Sequence, residues 1–349
     1  MAFKIGSVDI GAHHRPFVIA EMSGNHNQSL ERALAIVDAA AKAGAHGFKI
    51  QTYTADTMTL DLSTGEFAVT DKANLWHGET LHSLYQKAHT PWEWHQPIFA
   101  RCKELGMIGF STPFDDSAVD FLESLEVPCY KISSFENIDL PLIRRVAATG
   151  KPMIVSTGMA SAAELDDAVR TIRGAGCQDV VLLKCTSSYP ATPDNTNLRT
   201  LPHLRELFQC EVGLSDHTMG VGAAVAAVAL GACVIEKHFT LRRADGGVDS
   251  TFSLEPEEMH ALVVETERAW RALGGISYGP TEAELASLQY RRSLYVGADM
   301  KAGDVFTTEN LRRIRPGAGL APKYYDQLLG RAVRQDVARG TAVSWELLL

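Results

Sequence analysis

Eight short apolar or β-branched stretches of the sequence end in polar residues of the kinds that handle metals, anions and protons. These are Glu21, Lys49 with Gln51, Ser111 with Thr112, Lys131 with Ser134, Ser156 with Thr157, Thr186 with Ser187, Ser215 with His217, and Glu236 with His238. Side chains of a strand alternate between its faces, so Lys49 and Gln51, Ser215 and His217, and Glu236 and His238 each share a face. Two imidazoles on neighbouring strands, joined by Glu21 where a barrel closes on itself, would suit a divalent cation with open water positions. The plainer alternative is a pair of hydrogen-bonded core histidines. Lys49 and Lys131, with the hydroxyls of Thr112, Ser134, Ser156 and Ser215, would cradle a phosphate or carboxylate through charge-assisted hydrogen bonds. Its alternative pairs the lysines with barrel carboxylates such as Glu136. A third chemistry rests on Lys184, which shares a face with Val180, Leu182 and Thr186 and could form a Schiff base with a carbonyl substrate if burial lowers its pKa.

The elements that must position these residues follow from periodicity. The stretches PFVIAEMS (16–23), GFKIQTY (47–53), MIGFSTPF (107–114), CYKISS (129–134), PMIVSTG (152–158), DVVLLKCTS (179–187), EVGLSDHT (211–218) and CVIEKHFT (233–240) read as strands, each followed by a helical pattern. Ser161 and Glu164 have the capping-box spacing, and Pro256 suits the first turn of the last helix. The span from Pro16 to Gly274 is close to the roughly 250 residues of a (β/α)8 TIM barrel, in which chemistry sits at the C-terminal strand ends. An open doubly wound sheet is the competitor, but no G-x-G-x-x-G follows the first strand. The fold class is therefore α/β, with a barrel over 1–274, a linker over 275–289 and a small β-rich domain over 290–349. Segment 54–78 is long for a βα loop, as lids and binding elements tend to be.

The chain has 349 residues, 46% apolar and 21% charged, the proportions of a globular protein with a substantial core. Its 33 basic against 42 acidic residues leave a net charge of -9, which argues against nucleic-acid or anionic-membrane partners. Cysteines 102, 129, 177, 185, 210 and 233 form no CxxC pair and read as reduced thiols. The longest apolar run, Val221 to Ile235, falls short of the roughly 20 residues of a membrane span, and the N-terminus has no signal-peptide pattern. The expected location is the cytoplasm.

In order, the motifs IAEMSGNHNQSLERA, FKIQTY, FSTPFD, YKISSFE, MIVSTGM, LLKCTSSYP, GLSDHT and IEKHFT resemble the strand-end motifs of sialic acid synthases. IRPGAGL and its surroundings resemble that family's C-terminal antifreeze-like (SAF) domain, so the resemblance covers essentially the whole chain. LW-x-G at 75–78, SLYQKAHTPWEW at 83–94 and LLKCTSSYPA at 182–191 most resemble the pseudaminate-forming branch. Ser187 stands where neuraminate-forming members commonly carry asparagine. The resemblance implies condensation of phosphoenolpyruvate with an amino sugar, 2,4-diacetamido-2,4,6-trideoxy-L-altrose. Glu21 would be catalytic, and His217 and His238 would hold a divalent metal, manganese first, with magnesium or cobalt as substitutes. Lys49, Thr112, Lys131, Ser134, Ser156 and Ser215 would bind phosphoenolpyruvate, and Gln51, Tyr189 and Asp249 the sugar. Arg315 would reach the sugar of the neighbouring subunit in a domain-swapped homodimer, which a 15-residue linker of at most about 50 Å permits. Read without the resemblance, Arg315 is a surface arginine, Asp249 a turn residue and Tyr189 a residue packed in an extended loop. Three rivals stand beside this reading: neuraminate or legionaminate formation, a metal-free aldolase using Lys184, and a non-catalytic carbohydrate-binding protein.

Overall fold

A computed structural model describes residues 2–71 and 76–349. The chain divides into two compact units, Met1–Gly274 and Gly275–Leu349. The 275–289 stretch lies on the second unit's side of that boundary.

The first unit begins with an antiparallel hairpin, β1 (Phe3–Ile5) and β2 (Val8–Ile10). Eight parallel strands follow: β3 (Phe17–Glu21), β4 (Gly47–Thr52), β5 (Ile108–Pro113), β6 (Tyr130–Ile132), β7 (Met153–Ser156), β8 (Val180–Cys185), β9 (Glu211–Ser215) and β10 (Val234–His238). They close into a barrel in which β10 pairs with both β9 and β3. This is the expected (β/α)8 architecture, with every strand ending earlier than the sequence suggests and all but β4 and β9 also starting one residue later. In CYKISS, for instance, only Tyr130–Ile132 is strand, because Ser134–Glu136 already winds into a 3-10 turn.

Helices sheathe the barrel because their apolar stripes have nowhere else to go. In α1 (Leu30–Ala43), Ala33, Ile36, Val37 and Ala40 repeat at helical spacing and are buried. Ser29 caps its first turn by accepting from the Arg32 amide, and Gly44 ends it at φ 92°, a left-handed conformation that favours glycine. Ser161 and Glu164 form the expected capping box on helix Ala162–Gly174, and Pro256 opens helix Pro256–Leu273.

Inside the barrel, chemistry changes along each strand. Phe17 and Ile19 give way to Glu21, Phe110 to Thr112, Ile154 to Ser156, Leu183 to Cys185, and Val234 to Glu236 and His238. The apolar residues of this set, Phe17, Ile19, Phe110, Ile154, Leu183 and Val234, pack with Ile5 and Ile10 of the hairpin, which stops the N-terminal end of the barrel. The polar layer lies at the other end. Gly213 is required within this interior, since a Cβ there would collide with the Val234 backbone carbonyl oxygen and fall 2.6 Å from Leu183 Cδ2.

The excursion between β4 and the helix before β5 contains α2 (Ala55–Met58) and α3 (Leu81–Ala88), followed by α4 (His95–Glu104). Leu75 of the LW-x-G motif and part of segment 54–78 lie outside the described residues. The second unit holds an antiparallel pair, β11 (Ser293–Val296) and β12 (Leu311–Ile314), around a small core that includes Leu294, Val296, Phe306 and Val343. All six cysteines are buried and unpaired, and no described helix is long and apolar enough to cross a membrane.

Candidate active site

The strand ends enclose a cavity of about 450 Å³. Its floor is a chain of buried charges. Lys49 Nζ lies 2.7 Å from Glu21 Oε2, donates to Thr112 Oγ1 at 3.3 Å and stands 3.9 Å from Glu236 Oε2. Lys131 Nζ donates to Ser156 Oγ at 2.7 Å and lies 3.5 Å from Glu236 Oε1, which also accepts from Ser215 Oγ at 3.0 Å. Thus the lysines are paired with Glu21 and Glu236 rather than with Glu136. Glu136 lines the same cavity with its Oε2 buried and lacking a hydrogen-bond partner, and burial pushes its carboxyl up to about 7.

Burial opposes every charge here, so the direction of each shift reports which neighbours win. For Lys49, Glu21 and Glu236 outweigh burial and hold the ammonium above its usual pKa. For Lys131, burial wins over the attraction of Glu236, and its pKa falls. Glu236 is held low against burial by both lysines, whereas burial and Glu236 together raise Glu21 despite Lys49. Two buried ammonium groups with hydroxyls beside them form a site into which an anion can enter by exchanging partners with the carboxylates.

Ser134 is fixed by accepting from the Gly158 amide at 3.1 Å. A Cβ on Gly158 would lie 2.6 Å from Ser134 Oγ, so only glycine leaves this hydroxyl its place. Asn137 reinforces the corner by donating to the Ser156 and Gly158 carbonyls at 3.2 and 3.1 Å.

His217 and His238 come together as the spacing requires, with ring centroids 5.3 Å apart. His217 Nδ1 lies 3.0 Å from the Thr186 carbonyl, which can only accept, so Nδ1 carries a proton and the lone pair of the neutral ring is on Nε2; against burial, Cys185 and that carbonyl raise the ring's pKa. Burial, His217 and the lysines drive the His238 pKa far down, and its buried Nδ1 has no hydrogen-bond partner. A neutral ring with an orphaned nitrogen beside a second ring of fixed tautomer suits a divalent ion. The expected carboxylate is different, however. Glu21 is taken by Lys49 and by Gln51 Nε2, which donates to it at 3.0 Å. The acid near the rings is Asp249, with Oδ2 3.8 Å from His238 Nδ1, and it accepts from Ser23 Oγ. Among the described residues no three His, Cys, Asp or Glu side chains converge as a ligand set. The residues therefore fit an ion held by two imidazoles, its other positions left to water or substrate oxygens.

Asp249 is buried at the cavity wall, and Tyr189 packs its ring 4.6 Å from His217, so both belong to the site rather than to turn or loop packing alone. Gln51 also donates to Ser23 at 3.1 Å and orients Glu21. Arg315 is exposed on the second unit. Lys184 is not in the cavity. Leu182 of its strand packs in the outer core with the helices, while Val181 and Leu183 face the barrel interior. By the same alternation Lys184 points outward, donating to the Cys185 carbonyl at 2.8 Å and to Thr186 Oγ1 at 3.3 Å. The Schiff-base alternative fails on that geometry. Ser111 likewise turns away, toward Thr52.

The residue that sequence reasoning missed is Cys185, which lines the cavity 3.9 Å from His217 Nδ1. Burial raises its pKa, but His217, Ser134 and Lys131 bring it down to about 7. The signal was present in the phase of Val181, Leu183 and Cys185.

The NeuB family matches residues 36–278 and the SAF domain residues 291–349. A pseudaminic acid synthase of Campylobacter jejuni is 43% identical over 94% of this chain and 95% of its own length. An N,N'-diacetyllegionaminic acid synthase of Legionella pneumophila is 37% identical over 95% of this chain and 94% of its own. A solved sialic acid synthetase from Leptospira borgpetersenii, in complex with citrate, superposes with a TM-score of 0.73 at 32% identity, covering 83% of this chain and 96% of that one. With a charged barrel mouth of this construction and likeness along nearly its full length, the chain belongs to the NeuB family of sialic and nonulosonic acid synthases, with a SAF domain following the barrel in sequence.

Proposed function

We propose that this enzyme condenses phosphoenolpyruvate with 2,4-diacetamido-2,4,6-trideoxy-L-altrose to give pseudaminic acid and phosphate. The observation that carries the reading is the pair of buried lysines, each with a hydroxyl partner, beside two imidazoles at the barrel mouth. Support for the sugar comes from the naming of relatives such as the Campylobacter jejuni enzyme.

Lys49 and Lys131 bind the phosphate and carboxylate of the donor, with Thr112, Ser134, Ser156 and Ser215 fixing their direction. Donor C3 attacks the aldehyde carbon of the open-chain sugar, forming the new carbon-carbon bond, and the aldehyde oxygen takes a proton. Positive charge develops at donor C2, where Glu21 stabilises it and positions a water. That water adds at C2 and loses a proton. The bond from C2 to the phosphate oxygen then breaks, its electron pair leaving with phosphate, while the new C2 hydroxyl passes its proton to the departing phosphate and becomes the carbonyl of the keto acid. Gln51, Tyr189 and Asp249 orient the sugar. A divalent ion held by His217 and His238 would supply polarisation of the aldehyde.

The same reading makes the protein a cytoplasmic homodimer that uses manganese, with magnesium or cobalt as substitutes. Incubation with phosphoenolpyruvate and each of three sugars, the altrose derivative and the neuraminate and legionaminate precursors, tests it. Metal is stripped and added back, and phosphate release is followed. Metal-dependent release, fastest with the altrose derivative, is expected. Preference for another precursor would reassign the sugar, and no release with any sugar would remove the condensation.

A further inference from the structure

We infer that the buried ion pair of Lys237 with Asp216 is a clamp that sets the spacing of the two imidazoles, and so pre-forms the divalent-ion site in the metal-free chain. The inference rests on the two-histidine ion of the proposed function and adds what holds its ligands in place.

Both histidines lie past the point where their strands are joined. The ladder between β9 and β10 ends at Ser215 and Glu236, and the Asp216 amide makes a last bond to the Glu236 carbonyl at 2.9 Å. His217 and His238 are each two residues beyond that pair. His238 remains anchored on its other side, paired with Glu21 of β3, but His217 has already left β9. A contact other than the ladder must therefore join the His217 segment to β10.

Strand alternation selects that contact. Leu214 and Ile235 pack in the outer core, so Asp216 and Lys237 continue the outward phase while His217 and His238 line the cavity. The two charged side chains meet behind the barrel wall, and neither exposes any surface. Lys237 Nζ donates to Asp216 Oδ2 at 2.7 Å, to the Thr218 carbonyl at 2.6 Å and to the Gly220 carbonyl at 2.8 Å. Asp216 Oδ1 in turn accepts from the amide and the hydroxyl of Thr218 at 2.9 and 2.8 Å. His217 is thus held between two residues, Asp216 and Thr218, that are both bound to the residue preceding His238.

Stability does not account for such a pair. Taking two charges out of water costs about as much as their attraction returns, and apolar side chains of similar volume would fill the space as well. An ammonium adds direction, because its three donors fix three acceptors at once, two of them carbonyls past the end of the ladder. Metal ligands must be held to within about 0.5 Å of their working geometry. The buried His238 Nδ1 has no hydrogen-bond partner, so that ring cannot be steered by its own contacts and depends on the backbone being in place.

The test is calorimetric titration of the metal-stripped full chain with manganese(II) alone. Lys237→Met combined with Asp216→Asn removes both charges at nearly constant volume and leaves Thr218 an acceptor. Its Kd for manganese is expected to rise by about 10–100-fold, the usual effect of losing a group that orients a metal ligand. KM for phosphoenolpyruvate at saturating manganese is expected to stay within about twofold of native, because Ser215 and Glu236 remain joined by the ladder. An equal rise in that KM would mean a general loosening of the mouth and overturns the clamp. A lower unfolding temperature with unchanged Kd in the folded variant would mean a structural role alone, and also overturns it, leaving the metal site standing. If the double variant does not fold, Asp216→Asn decides, with a rise of at least about tenfold expected and no rise overturning the clamp. Native protein that takes up no manganese, or takes it up equally well after His238→Gln, overturns the two-histidine site itself, and the clamp with it.

Discussion

Glu21 sits between two claims on its carboxylate, the ammonium of Lys49 at 2.7 Å and the amide of Gln51 at 3.0 Å. In the proposed condensation, arrival of a phosphoenolpyruvate anion at Lys49 would weaken the first claim and free negative charge next to donor C2. Glu21→Gln keeps an acceptor for Gln51 but removes that charge. Its kcat is expected to fall by about 10²–10³-fold with little change in KM for phosphoenolpyruvate, as measured by steady-state phosphate release. An undiminished kcat would take Glu21 out of the reaction. Lys49→Met is expected to act on the other parameter, raising KM for phosphoenolpyruvate by more than about tenfold. At this scale the sequence was legible where strand alternation decides direction: Lys49, Lys131, Ser156, Ser215, His217 and His238 all face inward. Partner choice was not legible. Whether Lys49 meets Glu21 or Glu136 depends on the stagger between strands, which no local pattern records. Asp249 was legible only through the family resemblance, because GGVDS by itself reads as a turn and only the folded chain buries the carboxylate.

The elements are tied to one another by neutral histidines. His95 of α4 donates from Nδ1 to the Pro91 carbonyl at 3.2 Å and accepts at Nε2 from the Thr52 hydroxyl of β4 at 2.8 Å. Burial lowers its pKa to about 4, and does the same to His26 and His46. Between pH 6.5 and about 4 the unfolded chain therefore binds protons that the folded chain does not, so stability rises with pH across this window. The contribution is complete above pH 6.5 and lost as pH falls toward 4, with a limiting slope of about 1.4 kcal/mol per pH unit for each histidine. Urea unfolding at a series of pH values checks this, and His95→Gln is expected to flatten the slope. A slope unchanged in His95→Gln would mean that His95 is protonated in the folded state. Barrel strands and helix caps were readable at this scale because each rests on a short period. The excursion after β4 was not, because its residues follow no single period, and its apolar lining emerges only when Met58, Val69, Trp76 and Tyr85 meet at one cavity.

For the whole molecule, the proposed reading puts Arg315 at the sugar of a neighbouring subunit. If it acts there, Glu21→Gln and Arg315→Ala chains, each nearly inactive alone, should recover activity when mixed and allowed to exchange subunits. One site of each mixed dimer would have both residues intact, giving up to about a quarter of native activity per chain. No recovery after demonstrated exchange would confine Arg315 to its own chain or to no catalytic part. Two-unit organisation was legible from the change of texture after the barrel, and the outward phase of Lys184 was already implied by Val180 and Leu182.

The β1–β2 hairpin stops the barrel from below, with Ile5 and Ile10 seated among Phe17, Phe110 and Ile154. Traffic is thereby confined to one doorway. Lys49 and Glu236 each stand two residues deeper along their strands than Gln51 and His238, about 6–7 Å further in. On the proposed assignment of Lys49 to phosphoenolpyruvate and Gln51 to the sugar, the three-carbon acid would settle before the sugar closed the way above it, and the released inorganic anion would wait for the nine-carbon product to clear the exit. That proposed order is a stack, last in and first out.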